Sequence, residues 1–287
     1  NLENFYIPEE YEQNFTNVLS DQLVKELGKT SDKLNQDLPE EEKDEAFEKY
    51  IQELGNSYTV AINEIKKMGF TSAAIQLTES VIKGVIQSSD ISPEISISLK
   101  KILNTKTAYL YQHCHLTCIV ASEILEELNI KSKRNFEAIT YASFFKDISF
   151  IDNQELAKIT NHKELEEANL SDDQWALVMN HASEAAKIIR KHPEAPLDVD
   201  SLISSHHGSL DGKGFFYVNS DQLRKMNFLQ QTFMVSCEFV KQLLAYRDEK
   251  SRPQPILQEL FEKFPQKPMR EVLLALEQVL KKRQKKN

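Results

Sequence analysis

The chain has 287 residues, enough for one large helical domain with an appendage or for two modest domains, and enough to bury a substantial core. Its 40% hydrophobic and 28% charged residues are globular values, and only 7 Gly and 9 Pro in so long a chain favour helices. A formal charge of −9 speaks against a nucleic-acid polymer as partner, and 3 Cys are too few for a disulfide framework and suit a reducing, cytoplasmic compartment.

No apolar run approaches the roughly 18 residues of a membrane span, and no charged start leads into an apolar segment as in a signal peptide. A chain that opens on Asn1 rather than Met reads as a fragment or a trimmed piece. Residues 1–100 read as a helical accessory or regulatory region. One helix is expected over about 40–54, with Gly55 as its stop, and a second over 59–67, ending near Gly69. A third, over 72–87, would end at the turn cluster Ser88, Ser89, Asp90 and Pro93. These helices gather no His, Cys or Gly that implies chemistry, and they suit a homodimer contact; a sensory role is the sharper alternative.

From Thr105 the helical pattern strengthens. Cys114, Cys118, Ala121, Leu125 and Leu128 recur at spacings of four, three, four and three, the period of a buried helical face. Further helices are expected at 135–145, 172–191, 197–206 and 221–245, with two more after Pro253 and Pro268. The closing run Lys281, Lys282, Arg283, Gln284, Lys285, Lys286 reads as a solvated helix end. The expected class is all-α, with a second region over 101–287 that carries the chemistry.

That chemistry lies in the histidines: His113, His115, His162, His181, His192, His206 and His207. Adjacent side chains on a helix diverge by about 100°, so His206 and His207 reach one ion only where the helix ends, and the glycine-rich run after them supplies an ending. With His181 on a helix and Asp147 after an aromatic pair, they can form an imidazole and carboxylate shell for a divalent cation. The rival cluster of His113, Cys114, His115 and Cys118 cannot converge four side chains from one helix. Its two Cys fall on the apolar stripe and read as buried structural thiols.

Over roughly 105–253 these segments resemble the HD-GYP domain family, a branch of the HD phosphohydrolases. Tyr109, Leu110, Tyr111, Gln112, His113 is similar to the family's Tyr-x-Tyr-x-His. Phe144, Phe145, Lys146, Asp147, Ile148, Ser149, Phe150 is similar to Leu-Leu-His-Asp-Ile-Gly-Lys, with Lys146 in place of the motif His and Phe150 in place of the motif Lys. The run from His206 to Phe216 is similar to His-His-Glu-x-x-Asp-Gly-x-Gly-Tyr-Pro, with Gly208, Phe215 and Phe216 as departures. The family's final Asp should fall near residues 235–238, where only Cys237 and Glu238 stand, and Arg252 with Pro253 is similar to a later Arg-Pro motif.

The resemblance implies an HD-domain helical bundle. It assigns Asp147, His181, His206 and His207 to one metal position and His113 as a further ligand, with Asp147 catalytic and Lys213 and Arg252 as substrate-binding candidates. The cofactor would be a divalent transition metal (iron, manganese or zinc), one ion rather than two. Lys146 either pairs with Asp147 or points into solvent. The implied reaction is hydrolysis of cyclic di-GMP, in which the family uses a metal-bridging hydroxide. Phe150 removes a cation near the expected phosphate and Phe215 removes a hydroxyl, and each charge lost from the transition state can lower such a rate on the order of 100-fold. The alternative is an inactive signalling module that binds a nucleotide or a protein partner; a purely structural protein with a vestigial histidine cluster is a third.

Overall fold

The computed structural model describes residues 9–36, 39–91, 95–215, 221–246 and 253–284. Among these residues are twelve α-helices, three short 3-10 turns and no strand, so the expected all-α class holds. The chain divides into two compact units, Asn1–Gly84 with Thr105–Thr107 and Val85–Asn104 with Ala108–Asn287.

In the first unit α1 (Glu9–Leu34) packs along α2 (Glu40–Met68). The helix stop expected at Gly55 is absent, and α2 runs unbroken through it. A helical Gly costs about 1 kcal/mol against Ala, which the buried Ile51, Leu54, Tyr58 and Ile62 on the same helix outweigh. The stop at Gly69 is real: its φ of 76° turns the chain, and its N–H returns to the Ile65 carbonyl. The third helix, α3 (Ser72–Ile91), also passes its expected end. Ser88 and Ser89 both donate their hydroxyls to the Val85 carbonyl, at 2.8 and 3.0 Å, and so stay within the helix instead of turning it.

The second unit contains α4 (Ile95–Asn104), α5 (Tyr109–Glu127), α6 (Lys133–Phe145), α7 (His162–Glu167), α8 (Asp172–Ile189), α9 (Val199–Ser205), α10 (Phe228–Ala245), α11 (Pro253–Lys263) and α12 (Lys267–Gln284). Of these, α4 and α7 are not among the helices expected from the sequence. Helix α5 lies at the centre, packed by α10, α6, α12 and α4 and buried on every side. Its burial extends well beyond the apolar stripe read from the sequence, so its polar residues need partners. His115 finds two: its Nε2 lies 2.6 Å from Ser88 Oγ and its Nδ1 lies 2.9 Å from the Tyr111 hydroxyl.

Capping sets the helix starts around this core. Ser171 with Gln174 opens α8 and Asn227 with Gln230 opens α10, each pair as a reciprocal capping box. The second box is why α10 begins at Phe228 and not near residue 221; the segment Leu223–Lys225 before it is a 3-10 turn.

Candidate metal centre

Two helix ends and one helix face bring the three histidines and Asp147 together. Helix α6 ends at Phe145, Lys146 caps it, and Asp147 leaves helical geometry with φ −111° and ψ 17°. Helix α8 presents His181 from its buried face. Helix α9 ends at Ser205, His206 is its C-cap, and Gly208 adopts φ 86°. A left-handed residue immediately after the pair breaks the helical divergence of the two imidazoles.

His181 Nε2 lies 3.3 Å from His206 Nε2 and 3.2 Å from His207 Nε2. The Nδ1–H of His181 donates to the Val178 carbonyl at 2.7 Å, and that of His206 to the Ile203 carbonyl at 2.6 Å. Each bond fixes the tautomer, so His181 and His206 face each other with Nε2 lone pairs. Two acceptors at this distance repel unless a cation joins them. A proton is disfavoured: burial pushes His206 down to about 3 and also lowers His181 and His207.

A divalent ion fits. With metal–ligand bonds of about 2.0–2.2 Å, neighbouring ligands stand about 2.8–3.6 Å apart in tetrahedral or octahedral shells. The three imidazoles can therefore hold one ion as they stand. Asp147 Oδ1 lies 3.9 Å from both His181 Nε2 and His206 Nε2, wider than neighbouring ligands of one ion stand, so the geometry groups the three imidazoles and leaves the carboxylate just outside them.

The other Asp147 oxygen is taken. Lys146, only 3% exposed, turns inward, and its ammonium donates to Asp147 Oδ2. Of the two orientations open to Lys146 from sequence, the paired one is present. Burial would raise the Asp147 carboxyl, but the Lys146 ammonium, followed by His206, His113 and His181, holds it below the usual carboxylate range. Burial favours a neutral Lys146, and the Asp147 charge outweighs it, raising the ammonium above its ordinary value.

His113 stands apart from the three imidazoles. Its Nε2–H donates to the Cys237 carbonyl at 3.1 Å, and burial followed by the Lys146 charge keeps the ring neutral. Cys237 occupies the region where the resemblance expects an Asp, and burial pushes its thiol up to about 12. The altered aromatic positions serve as packing. Phe150 and Phe215 are buried, the first against His181 at 4.7 Å between ring centroids and the second against His207 at 5.2 Å. Cys114 and Cys118 are free and buried.

The loop from Gly208 to Phe215 is bound to α8 by its backbone. Gly214 N–H donates to the Met179 carbonyl at 2.7 Å, and Ser183 N–H donates to the Gly212 carbonyl at 3.2 Å. Gly212 has φ 72°, and a Cβ there would meet Ser183 backbone atoms at 2.9–3.0 Å. Lys213, exposed on this loop, does not line the cleft beside the histidines. Arg252 lies outside the described residues.

That cleft, a small cavity of about 50 Å³ that opens to solvent, is lined by His113, Lys146, His206, His207 and Cys237. Its lining also includes Thr160, Asn161, Glu238, Lys241 and Lys263, which the sequence reading missed apart from Glu238. Lys241 donates to Thr160 Oγ1 at 2.6 Å and to Glu164 at 2.5 Å, and Lys263 pairs with Glu238 at 2.8 Å. The positions of Glu238 and Lys241 are legible afterwards: they stand one and four residues past Cys237 on the same helix. Lys263 is on α11 and reaches the site by tertiary packing alone.

Neither a protein-family model nor a curated protein matches the sequence. The chain is similar in structure to Bd1817, an HDG"Y"P protein from Bdellovibrio bacteriovorus, with a TM-score of 0.60 and 13% sequence identity over 96% of this chain and 82% of that one. At that identity the likeness is one of fold, and the fold is HD-GYP-like.

Proposed function

We propose that this chain is a metal-binding domain of cyclic dinucleotide signalling, with Asp147, His181, His206 and His207 as ligands of one divalent iron, manganese or zinc ion. The observation that carries this reading is the approach of His206 Nε2 and His207 Nε2 to within 3.2–3.3 Å of His181 Nε2, with two of the tautomers fixed by backbone carbonyls. The HD-GYP-like fold supports the choice of ligand class, through the activity of the family that the motifs resemble.

When bound, the ion would supply Lewis acidity toward a phosphodiester oxygen and a water. The chain's own residues hold the carboxylate ionised, keep the imidazoles neutral and present them to a cleft bordered by Lys146, Lys241 and Lys263. These ammonium groups attract an anionic ligand, although Lys241 and Lys263 are each engaged by a glutamate. We read the catalytic form as a slow phosphodiesterase in which Asp147 is the catalytic carboxylate.

A second reading, binding of a nucleotide or a protein partner without turnover, is favoured by the ion pair of Lys146 with Asp147 and by the apolar Phe150 and Phe215 at positions where the resemblance expects polar groups. The expected homodimer through the N-terminal helices is supported by Tyr11, Phe15 and Val18, exposed along α1 at helical spacing. No helix among the described residues is long and apolar enough to cross a membrane.

The test is to load the protein with manganese, iron or zinc and follow cyclic di-GMP by chromatography. Product that disappears in Asp147→Ala supports catalysis. Saturable binding without product supports the second reading. A protein that takes up none of the three metals, with or without His206→Ala, would rule out both.

A further inference from the structure

We infer that the Lys146 ammonium stands in the place of a second cation and thereby fixes the site at one divalent ion per chain, an inference that rests on the metal-binding reading above. It is carried by the way Asp147 divides its two oxygens. Oδ1 faces His181 and His206, 3.9 Å from the Nε2 of each, whereas Oδ2 accepts from Lys146. A carboxylate shared between two cations is the usual bridge of a two-metal site, in which the ions lie about 3.5–4 Å apart. Here one of the two positions is filled by a side chain.

The groups around that ammonium form a second, latent donor set. Asp147 Oδ2 is one donor. Cys237, buried on α10 beside the same cleft, offers a thiol. His113 gives its Nε2 proton to the Cys237 carbonyl, which leaves Nδ1 as a lone pair, and that atom is buried without a hydrogen-bond partner. A carboxylate, a thiol and an imidazole make a set suited to zinc, in which Asp147 would be shared with the first ion while Cys237 and His113 are not among that ion's ligands. Lys146 lies at 3% exposure, so its charge is poorly screened, and it repels a divalent ion from this set.

The two roles of the lysine, neutralising Asp147 and excluding an ion, separate by substitution. Lys146→Arg keeps the charge. Lys146→His removes it and adds an imidazole. Lys146→Met keeps the apolar stem and removes the charge alone. The measurement is zinc per chain, by plasma emission after loading and desalting, together with the affinity for the first ion by competition with a chromogenic chelator.

The expected result is one ion for the wild type and for Lys146→Arg and two for Lys146→His; Lys146→Met should bind its first ion at least about tenfold more tightly. In the double variant Lys146→His with His206→Ala, the ion that remains should be the new one. One ion in a folded Lys146→His protein, or an unchanged first affinity in Lys146→Met, would overturn the inference. Two ions in the wild type would overturn it while leaving the metal-binding reading intact, and no ion in the wild type would remove both. Should Lys146→His fail to fold, the affinity of Lys146→Met decides the question.

Discussion

Phe150 lays its ring against the His181 imidazole, with centroids 4.7 Å apart and planes inclined by 42°. The Val178 carbonyl holds the same imidazole from its Nδ1 side, so ring and carbonyl together aim Nε2 at His206 and His207. An apolar residue thus orients a candidate ligand at a position where the resemblance expects a cation.

Phe150→Ala should therefore act twice. Loss of a fully buried phenyl ring should lower stability by about 3–5 kcal/mol, read from the urea midpoint. The freed imidazole should also weaken metal binding by about tenfold or more, within the range seen when groups that orient a ligand are removed. A destabilised variant with undiminished metal affinity would show that Phe150 only fills space.

Asp147→Asn keeps the shape of the side chain and removes its charge. The Lys146 ammonium would then be buried beside a neutral amide, and breaking a buried pair from one side costs about 3–5 kcal/mol. Asp147→Asn combined with Lys146→Met should recover most of that loss. A double-mutant cycle on unfolding free energies measures the coupling, and additive effects would contradict the pair.

His115 supplies a pH dependence outside the metal ligands. Burial pushes its pKa down to about 3 in the folded chain. The unfolded chain takes up a proton at this residue below about pH 6.5, and the folded chain does not until near the depressed value. Stability from this group is thus complete above about pH 6.5 and declines as the pH falls toward 3, by up to about 1.4 kcal/mol per pH unit. Chelator-treated protein should show this loss in urea titrations, steepened by the other buried imidazoles, and His115→Gln should reduce the slope by one proton. Equal slopes for the two proteins would contradict a neutral buried His115.

Gly212→Ala tests how the loop is held to α8. At φ 72° a Cβ carries the left-handed penalty of about 1–2 kcal/mol, and its overlap with the Ser183 backbone leaves α8 or the loop to shift. A fall in melting temperature should be accompanied by weaker metal binding, because the same loop carries Phe215 onto His207. Gly208→Ala, at φ 86°, should show the conformational penalty as well.

The sequence made the fold class and the clustering of three histidines legible, for physical reasons that differ. Helix α5 announces itself through the apolar stripe on one of its buried faces, and His206 with His207 through the glycines that follow, which take positive φ where α9 has ended. Gly55 and Ser88 misled as helix stops because local propensity of about 1 kcal/mol is small against tertiary burial. The orientation of Lys146 could not be read, since a side chain at a helix end can turn either way until its neighbours are known. Lys263 was invisible because α11 meets the cleft through tertiary packing, against α10 and α12.

Ser88 bonds to His115 from the last turns of α3, a helix that begins in one compact unit and finishes in the other. This has a bearing on dissecting the protein. A shortened chain that starts after Ser88 would retain every candidate ligand and still leave His115 Nε2 facing an empty place in the interior, two residues from His113. Any fragment meant to preserve the histidine site should therefore carry the end of α3 with it.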